Sequence, residues 1–85
     1  MAQFSLYRTS WCGFCARVER RIADLGLDVE LPDIDADVQA RADLREATGR
    51  ETVPCLRIED DEGHPIWLHE SAAIIDLLEE RVENA

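Results

Sequence analysis

Lysine is absent from this 85-residue chain: its nine basic residues are all arginine, set against nineteen aspartates and glutamates, for a net charge of −10. So large an excess of one sign repels phosphate backbones and anionic bilayers, which excludes nucleic acids and acidic membranes as partners. Long apolar runs are missing too. No stretch approaches the ~20 residues that cross a bilayer, and Met1 to Tyr7 lacks the basic flank and apolar core of a secretory signal. A soluble, cytoplasmic protein is the expectation. Cysteine is scarce, and three residues, an odd number, cannot staple a small secreted fold. Repeats, linkers and low-complexity tracts are also lacking. With 46% hydrophobic residues the chain can still bury one modest core, so residues 1–85 are expected to form a single domain, acting as a monomer.

What is present is periodic. Gln3 to Tyr7 alternates polar and apolar, with Phe4 and Leu6 on one face, and predicts a short first strand. From Gly13 the period becomes helical through Val18, Ile22 and Leu25, and Gly26 ends the run. Asp28 to Ile34 reads as a second strand with Pro32 near its end, where the lost donor costs least. Asp37 can cap a second helix reaching about Thr48, closed by Gly49. Cys55 to Glu59 reads as a third strand, joined by the Asp60-Asp61-Glu62-Gly63 turn to a fourth around Pro65 to Leu68. Glu70 to Arg81 is the last helix. The order β-α-β-α-β-β-α pairs the first two strands in parallel by a right-handed crossover and the last two antiparallel. An α/β sandwich follows, a four-stranded mixed sheet flanked by three helices.

Chemistry concentrates in Cys12-Gly13-Phe14-Cys15. A thiol reacts as its thiolate, and a sulfur at a helix start faces unpaired N–H groups and the positive end of the helix dipole, both of which favour the anion. Two intervening residues within one turn let Cys15 reach Cys12 while lying deeper. Cys12 is therefore the expected nucleophile and Cys15 the resolving thiol. The same spacing supplies half of a tetrahedral zinc site, which Cys55, His64 or His69 could complete. No second close-spaced pair exists, and a C-x-x-C opening a helix after the first strand has a redox context, so no metal site is expected. Asp33-x-Asp35-x-Asp37 imitates the start of a calcium loop, but Val38 stands where glycine belongs and Leu44 where the bidentate glutamate belongs. Cys55 is expected to be a small core thiol, and His64 and His69 surface or capping residues.

Three segments together carry a family resemblance: Tyr7-Arg8-Thr9-Ser10-Trp11-Cys12-Gly13-Phe14-Cys15, Thr52-Val53-Pro54 and Leu68-His69-Glu70-Ser71. Their order and spacing resemble a dithiol glutaredoxin. The first is also similar to mycoredoxin-like proteins and the last to the N-terminal domain of glutathione transferases. The resemblance implies a thioredoxin-like fold and a thiol–disulfide oxidoreductase that takes glutathione as co-substrate, holds no tightly bound cofactor, and reduces protein–glutathione mixed disulfides and protein disulfides. It implies a cis Pro54 beside Cys12, with the Val53 N–H and C=O turned outward to pair with an extended substrate and Phe14 in the same groove. It further implies Arg41 for the glycine carboxylate, aided by Arg8 and Arg50, Ser71 for the γ-glutamyl carboxylate and Glu70 for the amine. Two other activities stay open: a reductase drawing on another thiol or on thioredoxin reductase, and a carrier in which Cys12 of two chains and two glutathiones hold a [2Fe–2S] cluster. Cluster-binding relatives usually have serine where this chain has Cys15, and a Trp-Pro where it has Arg50-Glu51.

Overall fold

In the computed structural model, which describes residues 3–83, alternation along three short strands decides which side of the sheet each residue serves. The strands β1 (Gln3–Tyr7), β2 (Cys55–Glu59) and β3 (Pro65–His69) lie in the order β1-β2-β3, and each neighbouring pair is antiparallel. The register aligns Leu6, Leu56 and Leu68 in one row and Tyr7, Cys55 and His69 in the next. Successive residues point to opposite faces, so these two rows serve opposite sides.

On the leucine side, Leu6, Leu56 and Ile58 pack with Val18 and Ile22 of helix α1 (Gly13–Leu25) and Ile74 and Leu78 of helix α3 (Ser71–Glu83). Each fully buried leucine there contributes roughly 1.5–3 kcal/mol relative to exposure. On the other side, α2 (Val38–Thr48) lays Ala40 and Leu44 against Tyr7, Ile34 and Cys55. This second core is narrower and leaves the Trp67 end of the sheet partly open. Helix boundaries follow the local chemistry: the Asp37 carboxylate accepts the Ala40 N–H at 3.1 Å, and Gly26 and Gly49 close α1 and α2 at φ 67° and 77°. Those left-handed positions suit a residue without Cβ.

Two expectations need correction. Asp28 to Ile34 is not a regular fourth strand: it runs parallel to β1 through two isolated bridges, Ser5 to Glu30 and Arg8 to Asp33, beside a three-stranded antiparallel sheet. The bonds on either side are made, Leu6 N–H to Glu30 at 2.8 Å and Arg8 N–H to Pro32 at 3.0 Å. Between them, this register asks residue 32 to donate to the Leu6 carbonyl, and proline has no N–H to give. The ladder is therefore interrupted at Pro32. The last helix begins at Ser71 and runs to Glu83, because Glu70 sits outside it at φ 76°. Among the described residues no helix is long and apolar enough to cross a membrane.

Candidate active site

Cys12 occupies the N-cap of α1, its backbone extended at φ −88°, and its sulfur accepts the Cys15 N–H at 3.2 Å. The sulfur stands where a serine or aspartate oxygen usually caps a helix, so it satisfies a donor the helix cannot satisfy itself. A hydrogen bond of this kind strengthens when its acceptor is ionised. One turn on, Cys15 is fully buried. Burial, and then the hydrogen bond with Cys12, push its thiol up to about 12. All three cysteines are free thiols. The pair is thus divided in character: Cys12 is half-buried and held by an amide, and Cys15 beneath it stays protonated.

The Cys12 sulfur lies 4.0 Å from the Val53 carbonyl oxygen, and the Val53–Pro54 peptide is cis. No backbone group among the described residues takes the Val53 N–H. Trp11 and Phe14 flank the sulfur's loop and stay 76% and 66% exposed, an unusual cost for such large apolar rings. The Trp11 indole N–H donates to Asp35 at 2.8 Å. From Phe14 a cavity of about 450 Å³ runs past Thr52, Val53 and Pro54 to Arg50, His69, Glu70 and Ser71. Glu70, at φ 76°, holds a backbone conformation that costs a residue with a Cβ about 1–2 kcal/mol. That turn delivers the first residue of α3, Ser71, to the cavity, where the leading N–H groups of a helix are free to meet an anion.

Of the residues singled out from sequence, Phe14, Val53, Pro54, Glu70 and Ser71 line this groove. Two arginines do not reach it. Arg8 is held by Glu19 at 3.2 Å and Asp33 at 3.1 Å, and Arg41 by Glu51 at 2.6 Å. Arg50 does line the groove, with no ion pair to any described residue. His69 is the residue sequence reasoning missed. Its place in the sequence suits a surface or capping residue, yet it is half-buried on the groove wall, its Nε2 3.8 Å from the Cys55 sulfur. Burial, with the Arg50 charge second, lowers the His69 pKa, so the ring is neutral at pH 7. Cys55 is fully buried, and burial pushes its thiol up to about 11. The alternation along Pro65 to His69 carried the signal, since it puts His69 on the same side as Trp67.

A family model described as Glutaredoxin matches residues 4–62. The glutaredoxin of Pseudomonas aeruginosa is 33% identical over 53 residues, 62% of this chain and 63% of that protein. Among solved structures, the maleylacetoacetate isomerase of Anaeromyxobacter dehalogenans with GSH bound in its active site matches at a TM-score of 0.74 and 29% identity, over 96% of this chain and 38% of that one. The buckwheat glutaredoxin–glutathione complex matches at a TM-score of 0.55 and 26% identity, over 65% of this chain and 53% of that one. This chain spans less than two thirds of the length of each.

Proposed function

This chain belongs to the glutaredoxin family, and on that premise we propose that it is a glutathione-dependent thiol–disulfide oxidoreductase working through Cys12 and Cys15. The observation that carries the reading is the Cys12 sulfur capping α1 on the Cys15 amide, with the Val53 carbonyl 4.0 Å away and the groove opening beyond. The Cys12 thiolate attacks the glutathionyl sulfur of a protein–glutathione mixed disulfide. The old S–S bond breaks, the protein leaves as a thiolate that takes a proton from water, and Cys12 keeps the glutathionyl group. A second glutathione thiolate attacks that group, releases glutathione disulfide and frees Cys12. With a protein disulfide, Cys12 forms the mixed disulfide with the protein. Cys15 then loses its proton and attacks the Cys12 sulfur, expelling a reduced protein and leaving Cys12–Cys15 oxidised. Two glutathiones restore the dithiol.

Glutathione lies extended along Val53, its peptide groups pairing with that backbone as an added strand would. Its γ-glutamyl carboxylate falls at the start of α3, taken by the N–H and hydroxyl of Ser71 and backed by Arg50, with the Glu70 carboxylate near the ammonium. Phe14 and Pro54 form the apolar walls beside the reacting sulfurs. Arg41 meets the glycine carboxylate only in competition with Glu51, which already accepts from it. Glutathione is anionic and the protein strongly so, but contacts inside the groove escape the screening that damps distant charges. Residues 1–85 act as one domain, working as a monomer in the cytoplasm.

The test is the mass of the Cys15→Ser variant after exposure to glutathione disulfide. One glutathionyl group is expected, located on Cys12; an adduct on Cys55, or none, removes the reading. The arginines provide a second check. Arg50→Ala is expected to raise KM for a glutathionylated substrate about five- to tenfold, roughly 1–1.4 kcal/mol of binding, with little change in kcat. Arg8→Ala is expected to leave KM within about twofold, because its charge is already answered by Glu19 and Asp33.

A further inference from the structure

On the face of the sheet away from α1 and α3, a second cavity of about 470 Å³ opens between α2 and the Trp67 end of β3. None of its lining residues belongs to the thiol groove. Asp43 and Glu46 project into it from α2, three residues apart and hence on one helix face. Asp43 accepts only a neutral Gln39 amide, at 2.9 Å, and Glu46 has no partner among the described residues. The one cation in the wall, Arg57, is answered by Glu59 at 2.9 Å and lies over the Trp67 ring, 5.6 Å from its centre. That ring face is thus already suited to a guanidinium. Tyr7 forms the floor, 6% exposed, its ring 5.2 Å from that of Trp67. Its hydroxyl has no hydrogen-bond partner among the described residues and is open to the cavity, so its oxygen can accept from a ligand there.

Two uncompensated carboxylates, an aromatic wall and an unpartnered phenol oxygen are complementary to one ligand chemistry. We propose that this cavity binds a guanidinium or primary ammonium group carried on an unbranched aliphatic arm. The charged head lies between Asp43 and Glu46 with the Tyr7 hydroxyl accepting one of its N–H groups, and the arm lies along Trp67 and Pro65. On the proposed function, glutathione enters the groove at the His69 end of the sheet, which shares no lining residue with this cavity, so this site can be filled while the thiol groove turns over.

The experiment is an amide NMR titration at low salt with arginine methyl ester, which carries the cation without a carboxylate. Saturable shifts are expected at Tyr7, residues 43–47 and Trp67, including its indole N–H. The Asp43→Asn/Glu46→Gln variant is expected to bind at least tenfold more weakly and Tyr7→Phe severalfold more weakly, while Asp24→Asn/Asp28→Asn, which removes the same charge elsewhere, binds as the parent does. Shifts spread without saturation over the acidic surface would overturn the proposal, as would an equal loss in the Asp24/Asp28 variant. A second arm with a short neutral peptide bearing one arginine separates sources: peptide binding tighter than the ester assigns the site to a partner chain, and equal binding to a free amine. Failure of both probes leaves no site. The rate of Cys12 alkylation, measured alongside in the Asp43/Glu46 variant, is expected to match the parent.

Discussion

Replacing Cys12 with serine is expected to lower the reduction of both glutathionylated proteins and protein disulfides roughly a thousandfold or more, because a hydroxyl cannot supply the nucleophile on which every later step depends. Replacing Cys15 with serine divides the two activities. Deglutathionylation needs only Cys12 and a second glutathione, so it persists within a few-fold of the parent. Reduction of protein disulfides falls at least about tenfold, since the mixed disulfide with Cys12 then waits for glutathione rather than for a thiol one turn away. Turnover of one substrate of each kind by the two variants decides the matter. A dead Cys15 variant beside an active Cys12 variant would reverse the roles. The structural asymmetry argues against that reversal: Cys15 is fully buried with its thiol pushed up to about 12, and Cys12 is half-exposed at the cap.

The second large effect concerns the scaffold that holds this cap in place. Leu56 is fully buried in the middle strand, between Leu6 and Leu68 and against the α1 and α3 side chains. Leu56→Ala removes apolar area and leaves a cavity that a thin core cannot collapse, so it is expected to cost about 2–5 kcal/mol. In a chain this short that corresponds to a fall in Tm of roughly 10–30 °C. Ile66→Ala is the comparison, because Ile66 shares the same face but is 58% exposed, and it is expected to cost about 0.5 kcal/mol or less. Thermal unfolding followed by circular dichroism reads both. Equal losses in the two variants would mean that the core does not lie where the leucine row puts it.

Much of this architecture was legible because it is encoded locally. Helical spacing from Gly13 to Leu25, Asp37 as a cap, and Gly26 and Gly49 as stops are each the outcome of a few neighbouring residues, and the structure reproduces them. The thiol pair was legible for the same reason, since a cap and the residue three beyond it are neighbours in any helix. What escaped the reading depends on partners distant in the chain. Arg8 looked free for substrate because Glu19 and Asp33 stand 11 and 25 positions away. Arg50, its equal in sequence, is carried by the turn after α2 into the groove. The interruption at Pro32 arises only from the register in which that segment meets β1, and a proline alone does not announce which rung it will break. Glu70 at φ 76° was hidden because a glutamate carries no signal for the left-handed region.

One sulfur, that of Cys12, is held by an amide at the surface while the other two are sealed away as thiols. Site-resolved mass spectrometry of the native, reduced protein during brief exposure to iodoacetamide tests this directly. At pH 7 the label is expected on Cys12 alone, with Cys15 and Cys55 joining only as the pH approaches the raised values near 12 and 11 that burial gives them, or as the fold opens. Equal labelling of all three at pH 7, or labelling of Cys15 ahead of Cys12, would contradict it.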